Sequence, residues 1–305
     1  MNFLENKWLQ KTLVLVFALS AGYIIYSKTQ SLDQWPVFLK GYQPLEIALF
    51  FAVLFSLTLL NWLFDSWGWH LITKPFRNQS WGMAWRENLS SQGLGWLTPA
   101  ALGEYYAKGK GFESKKTGMA LTLLFRWNKL GAKTILGLLA LGLATNSNLL
   151  IIAGLLGLGL LLFLPKPMYS WGLQKIENFN FTQTSAHLQR DIAWWKLALS
   201  GILKSSVYAL QFTWVALWIL APELHPNIEW ELLAYGMAFF GLSGWIPSAS
   251  WADPLIKSGL GILLIPETLL DPTQVVMVSI ILWLVNVLIP TVPGLLTRGK
   301  TTLLK

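Results

Sequence analysis

Five ionisable residues, Glu104, Arg126, Lys129, Lys204 and Asp253, lie in or beside long apolar stretches of a 305-residue chain. Charged side chains in such places are costly unless they are paired, hydrated or put to use. Arg126, Lys129 and Lys133 recur at i, i+3 and i+7, which puts them on one helical face. A guanidinium offers forked donors and an ammonium a compact positive charge, so this face suits an anionic oxygen group such as phosphate. If the helix begins near Gly118, Arg126 lies about 12 Å along its axis. That is toward the middle of a hydrocarbon layer about 30 Å thick, where a lipid-facing arginine costs roughly 2.5–3.5 kcal/mol. The face is therefore expected to look into a helix bundle or an aqueous cleft. There Arg126 and Lys129 would bind phosphate, Glu104 would orient Arg126, and Asn128 would add a hydrogen bond. The same residues also fit a permanent Glu104–Arg126 ion pair, or an interfacial helix whose lysines reach the membrane surface. Lys204 lies deep in a further apolar stretch and needs a carboxylate, for which Asp253 is the candidate.

Composition sets the elements that must hold these side chains. Hydrophobic residues make up 54% of the chain and charged residues only 12%, against roughly 25% charged in soluble domains. Mean hydropathy is +0.48. An all-α polytopic membrane protein is expected, with residues 1–305 as a single integral membrane domain. No polar stretch is long enough to fold a soluble catalytic domain. Apolar runs at 10–27, 45–64, 118–144, 148–165, 192–220, 230–246, 255–270 and 273–293 predict about eight transmembrane helices. The run over 255–270 is short for a crossing and fits one arm of a re-entrant hairpin. The first run lacks a clean cleavage pattern and reads as a retained helix.

Basic residues gather at Lys7 and Lys11, from Lys74 to Lys116, over 165–191, and at Arg298, Lys300 and Lys305. Glu223, Glu229, Glu231, Glu267 and Asp271 occupy the alternate connections. Loop 28–44, with Lys28 and Lys40 against Asp33, is mixed. This alternation places both termini in the cytoplasm, and a bacterial inner membrane is the expected location. The 18 tryptophans suit the headgroup interface.

Other chemistries find little support. There is no cysteine, so thiol catalysis and cysteine-held metals are excluded. His70, His187 and His225 are far apart, and no metal site is expected. No phosphate-binding glycine loop, dinucleotide fingerprint or nucleophile elbow occurs, so neither a catalytic residue nor a cofactor is assigned. The net charge of +8 lies in loops and points to an anionic lipid surface, not nucleic acid. Lys108, Lys110, Lys115 and Lys116, among Tyr105, Tyr106 and Phe112, form a basic headgroup patch. Asp65, close to Asn61, reads as a polar residue at a helix end.

Two irregular stretches resemble each other. The first hairpin, over about 80–116, contains Gly95-Trp96-Leu97-Thr98-Pro99 and then Gly103-Glu104 before its basic run. The second, over about 241–263, contains Gly244-Trp245-Ile246-Pro247 and then Asp253-Pro254 before Lys257. Each precedes an apolar segment bearing an asparagine, Asn128 or Asn286. They look like a pseudo-repeat of re-entrant or broken helical hairpins, which in transporters flank a central site.

The stretch Pro99-Ala-Ala-Leu-Gly-Glu104, with Lys108, Lys110 and Arg126 beyond it, resembles the signature of the lysylphosphatidylglycerol synthase transmembrane region, a flippase-like integral membrane family. The family's second hairpin is richer in glycine and ends in Glu, where this chain has Pro247-Ser-Ala-Ser-Trp-Ala-Asp253. Its following helix usually carries arginine, where Asn286 stands here. The resemblance implies a lipid-handling protein that translocates a phosphate-bearing lipid through a polar intramembrane cleft, a transporter more than an enzyme. Its partners would be membrane lipids, either an anionic phospholipid or a polyprenyl-phosphate lipid. Glu104, Arg126, Lys129, Lys204 and Asp253 would line the cleft. Two alternatives stand beside it: a polyprenyl-phosphate-dependent intramembrane glycosyltransferase with Asp33 as base, and a scaffold subunit of a separately encoded lipid-modifying enzyme.

Overall fold

The computed structural model describes Tyr23 and residues 42–96, 102–112, 115–163, 192–220, 228–246 and 252–289. Among these residues every regular element is helical. In chain order they are α1 Pro44–Thr73, α2 Trp81–Trp96, α3 Leu102–Gly109, α4 Lys115–Ala144 and α5 Asn148–Phe163. Then come α6 Trp194–Leu220, α7 Ile228–Ser243, α8 Asp253–Leu264 and α9 Pro272–Trp283, which runs on as a π-helical turn, Leu284–Leu288. Apart from Tyr23, the expected first span lies outside the described residues, as do Asp33, the connection 164–191 and both chain ends.

Local signals explain several boundaries. Pro44 starts α1, and the Glu46 carboxylate accepts from the Gln43 amide at 2.7 Å, closing a capping box. Asp271 caps α9 by accepting from Thr273 and Gln274 amides at 2.7 and 3.0 Å. It serves as a helix cap, beyond the loop charge the sequence suggests. α8 ends where Ile265 turns extended before Pro266. The hairpin between α4 and α5 turns at Asn146, whose φ of 52° is left-handed and suits asparagine.

Among the described residues two helices, α1 and α6, are long and apolar enough to cross a membrane, while α5 and α9 with its π turn are apolar but shorter. α4 has 30 residues, the same length as α1, but carries Arg126, Lys129 and Lys133. α1 packs along α6, α4 along α5 and α7, and α8 along α9, with α6 touching all of α1, α4, α7 and α9. α7 comes close to α4 because glycines meet there: a Cβ on Gly241 would sit 2.7 Å from the Lys133 carbonyl oxygen and 3.0 Å from Gly137 Cα.

Among the described residues two large apolar cores result, beside a small cluster of Ala252 and Ile256. Phe50, Leu54, Phe212, Val215, Phe239 and Val278 belong to one, joining the first half of α1 to α6, α7 and α9. Trp69, Ile72, Leu124, Phe125 and Leu197 belong to the other, joining the second half of α1 to α4 and α6. Between them α1 buries Thr58, Asn61 and Asp65, spaced i, i+3 and i+7 on one face. This polar band lies about 20–30 Å along α1, near its middle.

Candidate functional site

α1, α2, α4 and α6 meet at Asp65, whose side chain is 1% exposed. Its Oδ1 accepts from Lys204 Nζ at 2.5 Å and pairs with Lys129 Nζ at 3.2 Å. Its Oδ2 accepts from Asn88 Nδ2 at 2.9 Å and from Gln92 Nε2 at 2.8 Å. A buried carboxylate is tolerated only when its lone pairs are met, and here both oxygens are engaged twice. Lys204 was expected to find Asp253; it finds Asp65 instead. Asp65 is correspondingly no helix-end residue, since α1 continues for two more turns to Thr73.

Glu104, on the short helix α3, forms a second centre. Its Oε1 accepts from Lys108 Nζ at 2.7 Å, and its Oε2 accepts from Arg126 Nε at 3.1 Å and from Arg126 Nη2. The guanidinium also lies over the Tyr105 ring, 4.6 Å from its centroid. The Glu104–Arg126 pair read from the sequence is therefore formed. Lys108 departs from expectation. It is fully buried, 4.6 Å from the ring centres of both Trp69 and Phe125, so it cannot belong to a surface headgroup patch. Lys110 is exposed, and the side chains of Lys115 and Lys116 lie outside the described residues.

The third centre is on α8, where Lys257 Nζ pairs with Asp253 Oδ2 at 2.5 Å. Both short helices thus begin with a carboxylate whose lysine partner follows four residues later, Glu104–Lys108 and Asp253–Lys257. The proline-bearing segments of the two similar hairpins, 97–101 and 247–251, lie outside the described residues.

A cavity of about 250 Å³ opens beside Asp65. Lys129, Lys133, Lys204 and Lys257 line it, with Asn61, Trp62, Gln92, Ser205, Tyr208 and Asn286 among the remaining wall residues. Of the residues expected to bind an anion, Lys129 and Lys204 reach this wall; Glu104 and Arg126 are not part of it, and Asp253 contributes through Lys257. Lys133 has its ammonium 5.0 Å from the Phe240 ring centre. Tyr208 stacks on the same ring at 3.7 Å between centroids.

Below the lysines runs an amide network. Gln211 donates to Thr58 Oγ1 at 2.7 Å, and Asn61 donates to Asn286 Oδ1 at 2.9 Å. Asn286 sits in the π turn of α9, a helix irregularity often found at functional positions. Asn128 faces elsewhere and donates to the Leu197 carbonyl at 2.9 Å, tying α4 to α6.

The residues that sequence reasoning did not assign to a site are Asp65, Lys133, Lys257 and the amides. A usable signal was present: Thr58, Asn61 and Asp65 repeat the i, i+3, i+7 spacing of Arg126, Lys129 and Lys133. Chemically, the assembled site can hold an anionic oxygen group among ammonium donors while the Asp65 carboxylate stays out of bulk solvent. Comparison with protein-family models, with curated proteins and with solved structures found no match to this chain.

Proposed function

We propose that this chain is a polytopic integral membrane protein that takes the phosphate of a membrane lipid into the lysine-lined cavity and translocates it, in a flippase-like manner. The cavity carries this reading: four ammonium groups converge in it, in the middle of a helix assembly whose outer faces are apolar. Leu45, Leu49, Phe55 and Leu59 on α1, and Leu149, Ile152, Leu156 and Phe163 on α5, are all exposed among the described residues. Apolar surface of that extent suits hydrocarbon better than water. A headgroup crossing through such a site keeps charge compensation while its tails stay in lipid.

In this reading the segments around 80–116 and 241–263 are re-entrant hairpins of a pseudo-repeat. The matching carboxylate–lysine pairs at the starts of α3 and α8 favour that view. The membrane would be a bacterial inner membrane with both termini in the cytoplasm, as loop charge suggests. Purified protein reconstituted in liposomes with fluorescent phospholipids provides the test. Translocation by the wild type, reduced about tenfold in Lys129→Gln, is expected. Equal rates in protein-free, wild-type and variant vesicles would remove the proposal.

A further inference from the structure

We propose that the cavity selects a phosphate carrying two negative charges, a phosphomonoester, over the singly charged phosphodiester of ordinary phospholipids. This rests on the reading that the cavity receives a lipid phosphate, and narrows it to one chemical class.

The first ground is charge. Four lysines line the cavity, and two carboxylates answer them: Asp65 serves both Lys129 and Lys204, and Asp253 serves Lys257. Among the described residues Lys133 has no carboxylate within ion-pair distance, only the face of Phe240 at 5.0 Å. The lysines of the cavity thus outnumber its carboxylates by two, and a partly shielded cation without a counter-charge favours an arriving anion. A phosphodiester brings a single negative charge and leaves one cation unanswered. A phosphomonoester brings about −1.5 to −2 near neutral pH and three acceptor oxygens, which meets the excess.

The second ground is space. A cavity of about 250 Å³ is smaller than the roughly 300–1,000 Å³ typical of small-molecule sites. That size matches a phosphate and its ester linkage more closely than a larger headgroup. The third ground is unmet hydrogen bonding. Two wall residues hold buried polar atoms with no partner in the described structure, Trp62 Nε1 and Asn61 Oδ1. The indole N–H can donate to an anionic oxygen, and a phosphomonoester dianion offers three such oxygens where a phosphodiester offers two.

The experiment uses the full chain purified in detergent, with binding followed calorimetrically. The probes are dihexanoyl phosphatidic acid, dihexanoyl phosphatidylglycerol and inorganic phosphate. Phosphatidic acid is expected to bind at least about tenfold more tightly than phosphatidylglycerol. Lys133→Gln should remove most of that preference by weakening phosphatidic acid alone, and Lys133→Arg should keep it. Equal affinity for the two lipids in the wild type, or a preference untouched in a folded Lys133→Gln variant, would overturn the inference while leaving lipid translocation standing. Inorganic phosphate binding as tightly as phosphatidic acid would uphold the dianion site but sink the lipid reading. The wild-type comparison alone decides the matter if the glutamine variant fails to fold.

Discussion

Replacing Asp65 with asparagine tests the central joint of the molecule. Asp65→Asn keeps the size of the side chain but removes the charge that Lys129 and Lys204 share. It also places an amide N–H₂ where four donors now converge. Removing one partner of a buried ion pair costs about 3–5 kcal/mol. The two lysine side chains retain 22% and 20% exposure, so water relieves part of the loss and the lower end, about 3 kcal/mol, applies. At roughly 2–4 °C per kcal/mol, the melting temperature should fall by about 6–12 °C. Thermal unfolding in detergent, followed by tryptophan fluorescence, measures it. Adding Lys204→Met removes one orphaned cation, so the double variant should be at least about 1 kcal/mol more stable than the sum of the single effects. A melting temperature within about 2 °C of wild type, or strictly additive variants, would refute the claim that this carboxylate neutralises both lysines.

Two further outcomes follow from the same geometry. Glu104→Gln leaves Lys108 and Arg126 without their shared anion, whereas Lys108→Met leaves Glu104 still bonded to Arg126; the first should destabilise by at least about 1 kcal/mol more than the second in the same assay. Gly241→Ala would force a Cβ to within 2.7 Å of the Lys133 carbonyl oxygen and should cost about 1–3 kcal/mol. Gly159→Ala, which meets nothing within 4 Å, should be neutral or stabilising by up to about 1 kcal/mol, and a reversed order would show that α4 and α7 do not cross at these glycines.

Helical character was legible because long apolar runs admit little else, and the run over 118–144 corresponds closely to α4. The Arg126–Glu104 pair was legible too, since a cation that far along an apolar helix must be answered. The need of Lys204 for a carboxylate could be read, but not its source. Asp65 looked terminal because hydropathy falls at that residue, yet α1 runs on to Thr73 and lysines from α4 and α6 answer the buried carboxylate. Lys108 misled for a related reason. It stands in a run with Lys110, Lys115 and Lys116 among aromatic residues, the usual look of an interfacial patch, and only the rings of Trp69 and Phe125 closing over the ammonium reveal burial. Lys133 lay on the right face but gained meaning only when Lys204 and Lys257 arrived from other helices.

The sharing of Asp65 has a mechanical consequence. One carboxyl group is gripped by residues of α2, α4 and α6 while belonging to α1, so none of these four helices can shift without breaking a charged contact. α8 and α9 meet that frame through apolar packing and the Asn61–Asn286 hydrogen bond, and α8 brings Asp253 and Lys257 into the electrostatic field of Lys133. Lys129, Lys133 and Lys204 therefore stand on one charge-locked frame, and Lys257 reaches the same cavity from α8, a helix outside it.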